Sequence, residues 1–287
     1  MEIKKIGKIR DGQDGAIWGD ELFRFNHKGE CRVFKLSQLD GGAEELLPSA
    51  EFVLDRADEI VPHSNAVFFG TEYYEEGDEF PLLYSNIYNN YADAEDKLIG
   101  VCCVYRLLRD GESFSTALVQ LIQIGFCDDP TLWRAYADRD CVRPFGNFLI
   151  DRDAGYYYAF VMRTEEAGTR YFKFDIPKVA EGEIDPRFGV RRVVLGRERL
   201  VDYFDVPHHY FIQGGTIHKG LLYSTEGFDY NEANRPAIRV SDLAAKKQVG
   251  HLDLMSVGYF EEPELIDFYN GACLYSDAHG TLYKLER

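Results

Sequence analysis

The sequence predicts an all-β protein, a β-propeller of five blades with four antiparallel strands each, the ring closed by the N-terminal strand. Three observations carry this expectation. The chain is rich in aromatic residues, with 19 Tyr and 20 Phe in 287 residues, and these side chains favour pleated, half-buried surfaces. One phrase recurs: a polar residue, an apolar strand, a turn containing Gly, and a strand centred on Tyr or Phe. It is clearest from His208 to Ser224. The last such unit runs out one strand short, and the alternating segment from Glu2 to Ile9 supplies the missing one, which removes the open edge a large sheet would otherwise expose.

The first unit follows that segment. Residues 13–19 form a strand and a turn, Glu21 to Asn26 the next strand, and Glu30 to Leu36 a third in which Cys31 and Val33 alternate with Arg32 and Lys35. Glu51 to Leu54 provides a fourth. The phrase restarts at His63, and an acidic loop from Glu72 to Glu79 separates its first strand from Phe80–Ser85. Leu98–Leu107 and Thr116–Phe126 complete that unit, and Asp128–Arg139 is the best helix candidate in the chain. A third restart at Phe145 leads into Tyr156–Met162, Arg170–Ile176 and Leu200–Val206. The fourth begins at His208, with outer strands at Ala237–Val240 and Val249–Leu254. The fifth begins at Glu262 and ends with Thr281–Leu285. Four short strands in chain order make a meander, which is one blade. The spacing of the restarts is irregular, so counts of six or seven blades stay open, and a β-sandwich is the competing architecture. A single domain over residues 1–287 is expected.

The formal charge is −17, from 49 acidic and 32 basic residues. Phosphate binding needs a basic stripe, and Arg191-Arg192 and Lys246-Lys247 are isolated pairs, so neither nucleic acid nor an anionic membrane is an expected partner. The cysteines, Cys31, Cys102, Cys103, Cys127, Cys141 and Cys273, contain no C-x-x-C pair and read as buried thiols. Cys102 and Cys103 point to opposite faces of a strand. The first residues lack the apolar run of a signal peptide, and no segment has the length of a membrane span. A cytoplasmic monomer is the expectation.

The common catalytic signatures, G-x-G-x-x-G, the P-loop, H-E-x-x-H, G-x-S-x-G and the EF-hand loop, are absent. What remains is the set of polar residues that lead each innermost strand. In a propeller these strands line the central channel, so their leading residues converge. The candidates are Asp14, His63, Asn65, Asn147, His209, Gln213, Glu262 and Glu264. Such a ring suits a small polar molecule or a peptide end, or a divalent cation such as Ca held through oxygen atoms. It also suits a raised-pKa carboxylic acid, Glu264, acting as acid and base. His27 and His218 fall in turns and are expected to be solvated. A protein-interaction scaffold is the third class, and it requires an exposed apolar patch.

Residues 211–215 and 220–227, Phe211-Ile212-Gln213-Gly214-Gly215 and Gly220-Leu221-Leu222-Tyr223-Ser224-Thr225-Glu226-Gly227, resemble the F-x-Q-G and G-x-L-Y-x-S-T-G motifs of the five-bladed glutaminyl-peptide cyclotransferase family. Related phrases occur in lactonase-like propellers. Glu262-Pro263-Glu264-Leu265-Ile266 stands where that family has G-E-G-[IL]-[TA], without its glycines, and the L-T-W segment of the family is missing. The likeness covers the C-terminal part of the chain. It implies the propeller fold, points to Glu264 and Gln213, and suggests acyl-transfer cyclisation or lactone hydrolysis as the enzymatic alternative.

Overall fold

Among the described residues, twenty-two strands sort into five sheets, and each sheet is one blade. The computed structural model describes residues 2–60, 62–87, 98, 101–126, 148–209 and 211–286. Blade 1 is β2 (Gly15–Trp18), β3 (Glu21–Phe25), β4 (Glu30–Lys35) and β5 (Pro48–Val53). Blade 2 is β6 (Val67–Phe69), β7 (Leu83–Asn86), β8 (Val101–Asp110) and β9 (Ser113–Ile124). Blade 3 is β10 (Phe148–Asp151), β11 (Tyr156–Met162), β12 (Thr169–Asp175) and β15 (Leu200–Val206). Blade 4 is β16 (Ile212–His218), β17 (Leu221–Glu226), β18 (Ala237–Asp242) and β19 (Lys247–Asp253). Blade 5 is β20 (Pro263–Tyr269), β21 (Ala272–Asp277) and β22 (Thr281–Glu286), completed by β1 (Glu2–Lys8).

The closing strand is where the alternation placed it: β1 runs antiparallel to β22 from Glu2↔Glu286 to Lys8↔Thr281. Two features were not expected. The 24-residue excursion between β12 and β15 contributes β13 (Glu183–Ile184) and β14 (Arg191–Leu195), and β14 pairs in parallel with β9, so the sheet of blade 2 has six strands among the described residues. A short helix, α1 (Ala57–Ile60), follows β5. The helix expected at 128–139 lies outside the described residues, as do Cys127 and Cys141.

The aromatic residues are spent between blades. Phe23 meets Phe69, Phe80 and Phe114 edge-on, with ring centroids 5.3, 5.7 and 5.6 Å away. Phe148 stacks on Tyr157 at 5.1 Å and also contacts Phe68. Edge-to-face and offset contacts of this kind add to the apolar burial. Cys102 and Cys103 serve two different seams: one packs into the core shared by blades 2 and 3, the other into the core shared by blades 1 and 2. Cys31, Cys102, Cys103 and Cys273 are buried free thiols.

The inner strands β2, β6, β10, β16 and β20 each touch the next around the ring. They leave a cavity of about 10 Å³ on the axis, lined by one residue or more from every blade, among them Ala16, Phe68, Ile150, Thr216 and Asp267. That is room for about one water, so the inner strands pack closely at this level.

Register reveals a repeat in the second strand of each blade. Leu-Tyr-Ser occurs at residues 83–85, 222–224 and 274–276. The residues opposite the inner strand at this level are Arg24, Ser85, Ala159, Ser224 and Ser276. All five are buried. Four are small, and blade 1 alone carries an arginine there.

Candidate site at the channel mouth

The site is built around that arginine. Arg24 is 2 % exposed, and its Nη2 donates to the carbonyl oxygens of Gly12 at 2.7 Å and Asp277 at 3.2 Å. Its Nε and Nη1 have no hydrogen-bond partner among the described residues. Burial lowers its pKa, and the carboxyls of Glu264, Asp14 and Asp277 oppose that shift in this order. A buried guanidinium needs such neighbours, because an unpaired one carries a large desolvation cost.

Glu264 leads β20 and is 2 % exposed. Its Oε1 accepts the side-chain amide of Gln13 at 3.3 Å, while its Oε2 is buried without a partner among the described residues. Burial, and then the neighbouring Glu262, hold this carboxyl well above the usual range, against the pull of Arg24. Asp14 precedes β2 and is fully buried. Its Oδ2 accepts the backbone N–H of Val67 at 2.9 Å, tying blade 1 to blade 2. Its Oδ1 also has no partner among the described residues, and burial raises its pKa. Gly214 lets these two groups approach: a Cβ there would stand 3.3 Å from Asp14 Oδ1 and collide with the Glu264 carbonyl oxygen. Glu262 lies further out. It accepts the side-chain amide of Gln213, which also donates to the Gly227 carbonyl at 3.0 Å. Its own N–H donates to Asp229, and burial together with Asp229 pushes its pKa up to about 7.

The mouth therefore holds three carboxyls, Asp14, Glu262 and Glu264, each with a raised pKa, around one buried cation. Burial favours the protonated form of all three, and Glu262, at about 7, can exchange a proton near neutrality.

The other expected residues lie elsewhere. Asn65 is buried where β6 begins and accepts the side-chain amide of Asn86, whose Oδ1 takes the Ala66 N–H at 3.1 Å. This polar clasp joins the start of β6 to the end of β7. His63 is half-buried with His27 nearby, and burial lowers its pKa to about 4. His209 is buried against β12, its Nδ1 3.5 Å from Tyr171 Oη and its N–H donating to Thr169 Oγ1 at 3.0 Å. Burial lowers its pKa too. The inner strands begin only after a left-handed turn at Ser64 (φ 56°) and Phe211 (φ 60°), so the histidines before those turns are carried onto seams between blades. Asn147 lies outside the described residues. Arg24 was missed; its one signal was a lone basic residue between the apolar Leu22, Phe23 and Phe25 of β3, at the level where three other blades carry Ser.

For a divalent cation, the geometric candidate among the described residues is Asp229, Glu261 and His279, whose ligand atoms lie within 4.8 Å of one another. His279 Nε2 stands 3.1 Å from Glu261 Oε2, and Glu261 also accepts Tyr230 Oη at 3.3 Å. The trio is exposed or half-exposed and already satisfied internally, so it is not assigned as a metal centre.

No family model matches this chain, and no curated protein matches it. Among solved structures it is similar to Kuenenia stuttgartiensis hydrazine synthase, at 10% identity and a TM-score of 0.40, over 92% of this chain and 61% of that one. The chain thus spans about three fifths of that protein's length, and a likeness at this level carries no argument about activity. The five-bladed arrangement rests on the sheets themselves. Among the described residues, no helix is long and apolar enough to cross a membrane.

Proposed function

We propose that the channel mouth binds a small polar molecule that presents an N–H donor, such as an amine, an amide or a peptide end. The observation that carries this reading is the pair of buried acceptors without partners, Glu264 Oε2 and Asp14 Oδ1, beside the unpartnered Nε and Nη1 of Arg24. Buried polar atoms are ordinarily satisfied, and a ligand with a donor and an acceptor would satisfy both sets. Gln213 and Glu262 would line the outer wall. The experiment is a thermal-shift screen of small amines, amino acids and amides against the wild type and the double variant Glu264→Gln/Gln213→Ala. Compounds that stabilise the wild type are expected to lose their effect on the variant. Equal shifts in both proteins would remove the mouth from consideration.

The second reading is catalytic, and the carboxyl of Glu262 supports it, since a pKa of about 7 suits general acid–base work at neutral pH. With Glu264 behind it, the pair would serve acyl-transfer cyclisation or lactone hydrolysis, the chemistry of the propellers that the C-terminal motifs resemble. Turnover of peptides with N-terminal Gln, or of a lactone panel, with and without divalent metal, is the test. Silence on every substrate leaves the binding reading alone.

A further inference from the structure

At the opposite end of blades 4 and 5 from the channel mouth, a cleft of about 770 Å³ opens between the two sheets, within the size range of small-molecule sites. Two tight turns frame it. Lys219-Gly220 joins β16 to β17 with φ of 51° and 74°, and Asn270-Gly271 joins β20 to β21 with φ of 49° and 77°. Asn-Gly is the usual choice for a turn that needs left-handed backbone at both central residues; a lysine in that role is uncommon.

The interior is aromatic and aliphatic. His218, expected to be solvated in a turn, instead ends β16 and stacks on Phe268 with centroids 3.9 Å apart and planes at 16°. Tyr223 meets Phe268 edge-on at 5.1 Å. Val240 and Leu285 face each other from blades 4 and 5, both under 9% exposed. The gap exists because the facing wall residues are small, Gly250 from β19 and Ala272 from β21, and because β19 is bulged. Val240 pairs with Gly250 and Ser241 with Gln248, which leaves Val249 as the extra residue, 51% exposed at the lip.

The charges around the cleft are unequal. Lys284 Nζ lies 3.2 Å from Glu286, whereas Lys219 makes no ion pair among the described residues and lowers the pKa of His218 after burial has done so. Asp153 accepts the backbone N–H of Lys219 at 3.3 Å, outside the residues that line the cleft, so Lys219 is the one lysine of the lining whose side chain makes no ion pair among the described residues.

We propose that this cleft is a second binding site, for a flat aromatic anion whose ring slides between the His218–Phe268 stack and the Val240–Leu285 wall and whose carboxylate meets Lys219. The site is independent of the channel mouth. The test is calorimetric titration with 2-naphthoate and with 2-naphthylmethylammonium, the same ring with the opposite charge. The wild type is expected to bind naphthoate at least tenfold more tightly than the ammonium compound. Val249→Trp, a change at an exposed position, fills the slot and is expected to weaken naphthoate at least tenfold with its melting temperature unchanged. Lys219→Glu, on an exposed turn, is expected to reverse the charge preference. Failure of naphthoate to bind at millimolar concentration, equal affinity for the two compounds, or undiminished binding by either variant would overturn the assignment.

Discussion

The carboxylate of Asp267, on the innermost strand of blade 5, accepts the backbone N–H of Ile17, on the innermost strand of blade 1, at 2.8 Å. The same side chain takes the hydroxyl of Thr216 from blade 4 at 3.1 Å and the N–H of Phe268 at 2.8 Å. Asp14 does the equivalent for blades 1 and 2 through Val67. Inner strands of adjacent blades do not form a ladder with one another, so these carboxylates satisfy backbone groups that would otherwise be buried alone. Replacing Asp267 with Ala leaves the donors of Ile17 and Thr216 without an acceptor. A loss of about 2 kcal/mol or more is expected from urea unfolding, and a change within error would show that these bonds contribute nothing.

Arg24 is held by the carbonyl oxygens of Gly12 and Asp277, with the carboxyls of Glu264 and Asp14 nearby. Arg24→Met keeps the volume and removes the charge and both donors. A destabilisation of about 1–3 kcal/mol is expected from the acceptors left unpaired. Glu264→Gln is expected to cost less in the Arg24→Met background than in the wild type. A double-mutant cycle measures that coupling, and additivity would mean that the two groups do not interact.

The pH dependence of stability carries a sign that follows from Glu262. Folding raises its pKa from 4.5 to about 7, so the folded chain holds a proton that the unfolded chain has released across that window. Stability is therefore highest below about pH 4.5 from this group and is lost as the pH rises through 7. Glu264 and Asp14, also raised, act in the same direction. His63 and His209, with lowered pKa values, act in the opposite direction below about pH 6.5, so the measure is the difference between proteins. In denaturant unfolding at pH 5, 6 and 7.5, the stability of the wild type relative to Glu262→Gln is expected to fall as the pH rises. A slope unchanged by that substitution would remove Glu262 as its source.

Removing residues 2–8 uncovers the edge of β22, which the β1 ladder otherwise covers. The expected result is a lower melting temperature and concentration-dependent association on size-exclusion chromatography, because an unpaired edge recruits another chain. A truncated protein that stays monomeric with an unchanged melting temperature would contradict this.

The architecture was legible because a meander writes itself locally: many of its turns carry a Gly, and each second strand its Tyr or Phe. Closure by β1 was legible from the missing strand of the last unit. The addition of β13 and β14 was not, since β14 pairs with β9 across some seventy residues of intervening chain and nothing in Arg191–Leu195 specifies a parallel partner over any other. Glu264, Glu262 and Gln213 come together at one end of the inner strands because they stand near the start of β20 and β16. His63 and His209 went to the seams because position along the chain does not reveal that a left-handed residue turns the backbone between them and the strand. Arg24 was hidden by its own strand, whose pattern reads as core. Only the register, which sets it level with Ser85, Ser224 and Ser276, exposes it as the odd member.

The pairing of Glu2 with Glu286 sets the first and last described residues one strand spacing apart. A linker of a few residues between them would turn the β22–β1 ladder into an ordinary hairpin. New ends could then be cut at another tip, such as Gly111 between β8 and β9, without breaking a blade. Within residues 2–286 the blades then form one continuous ring, and any exposed hairpin tip is an equivalent place to open it.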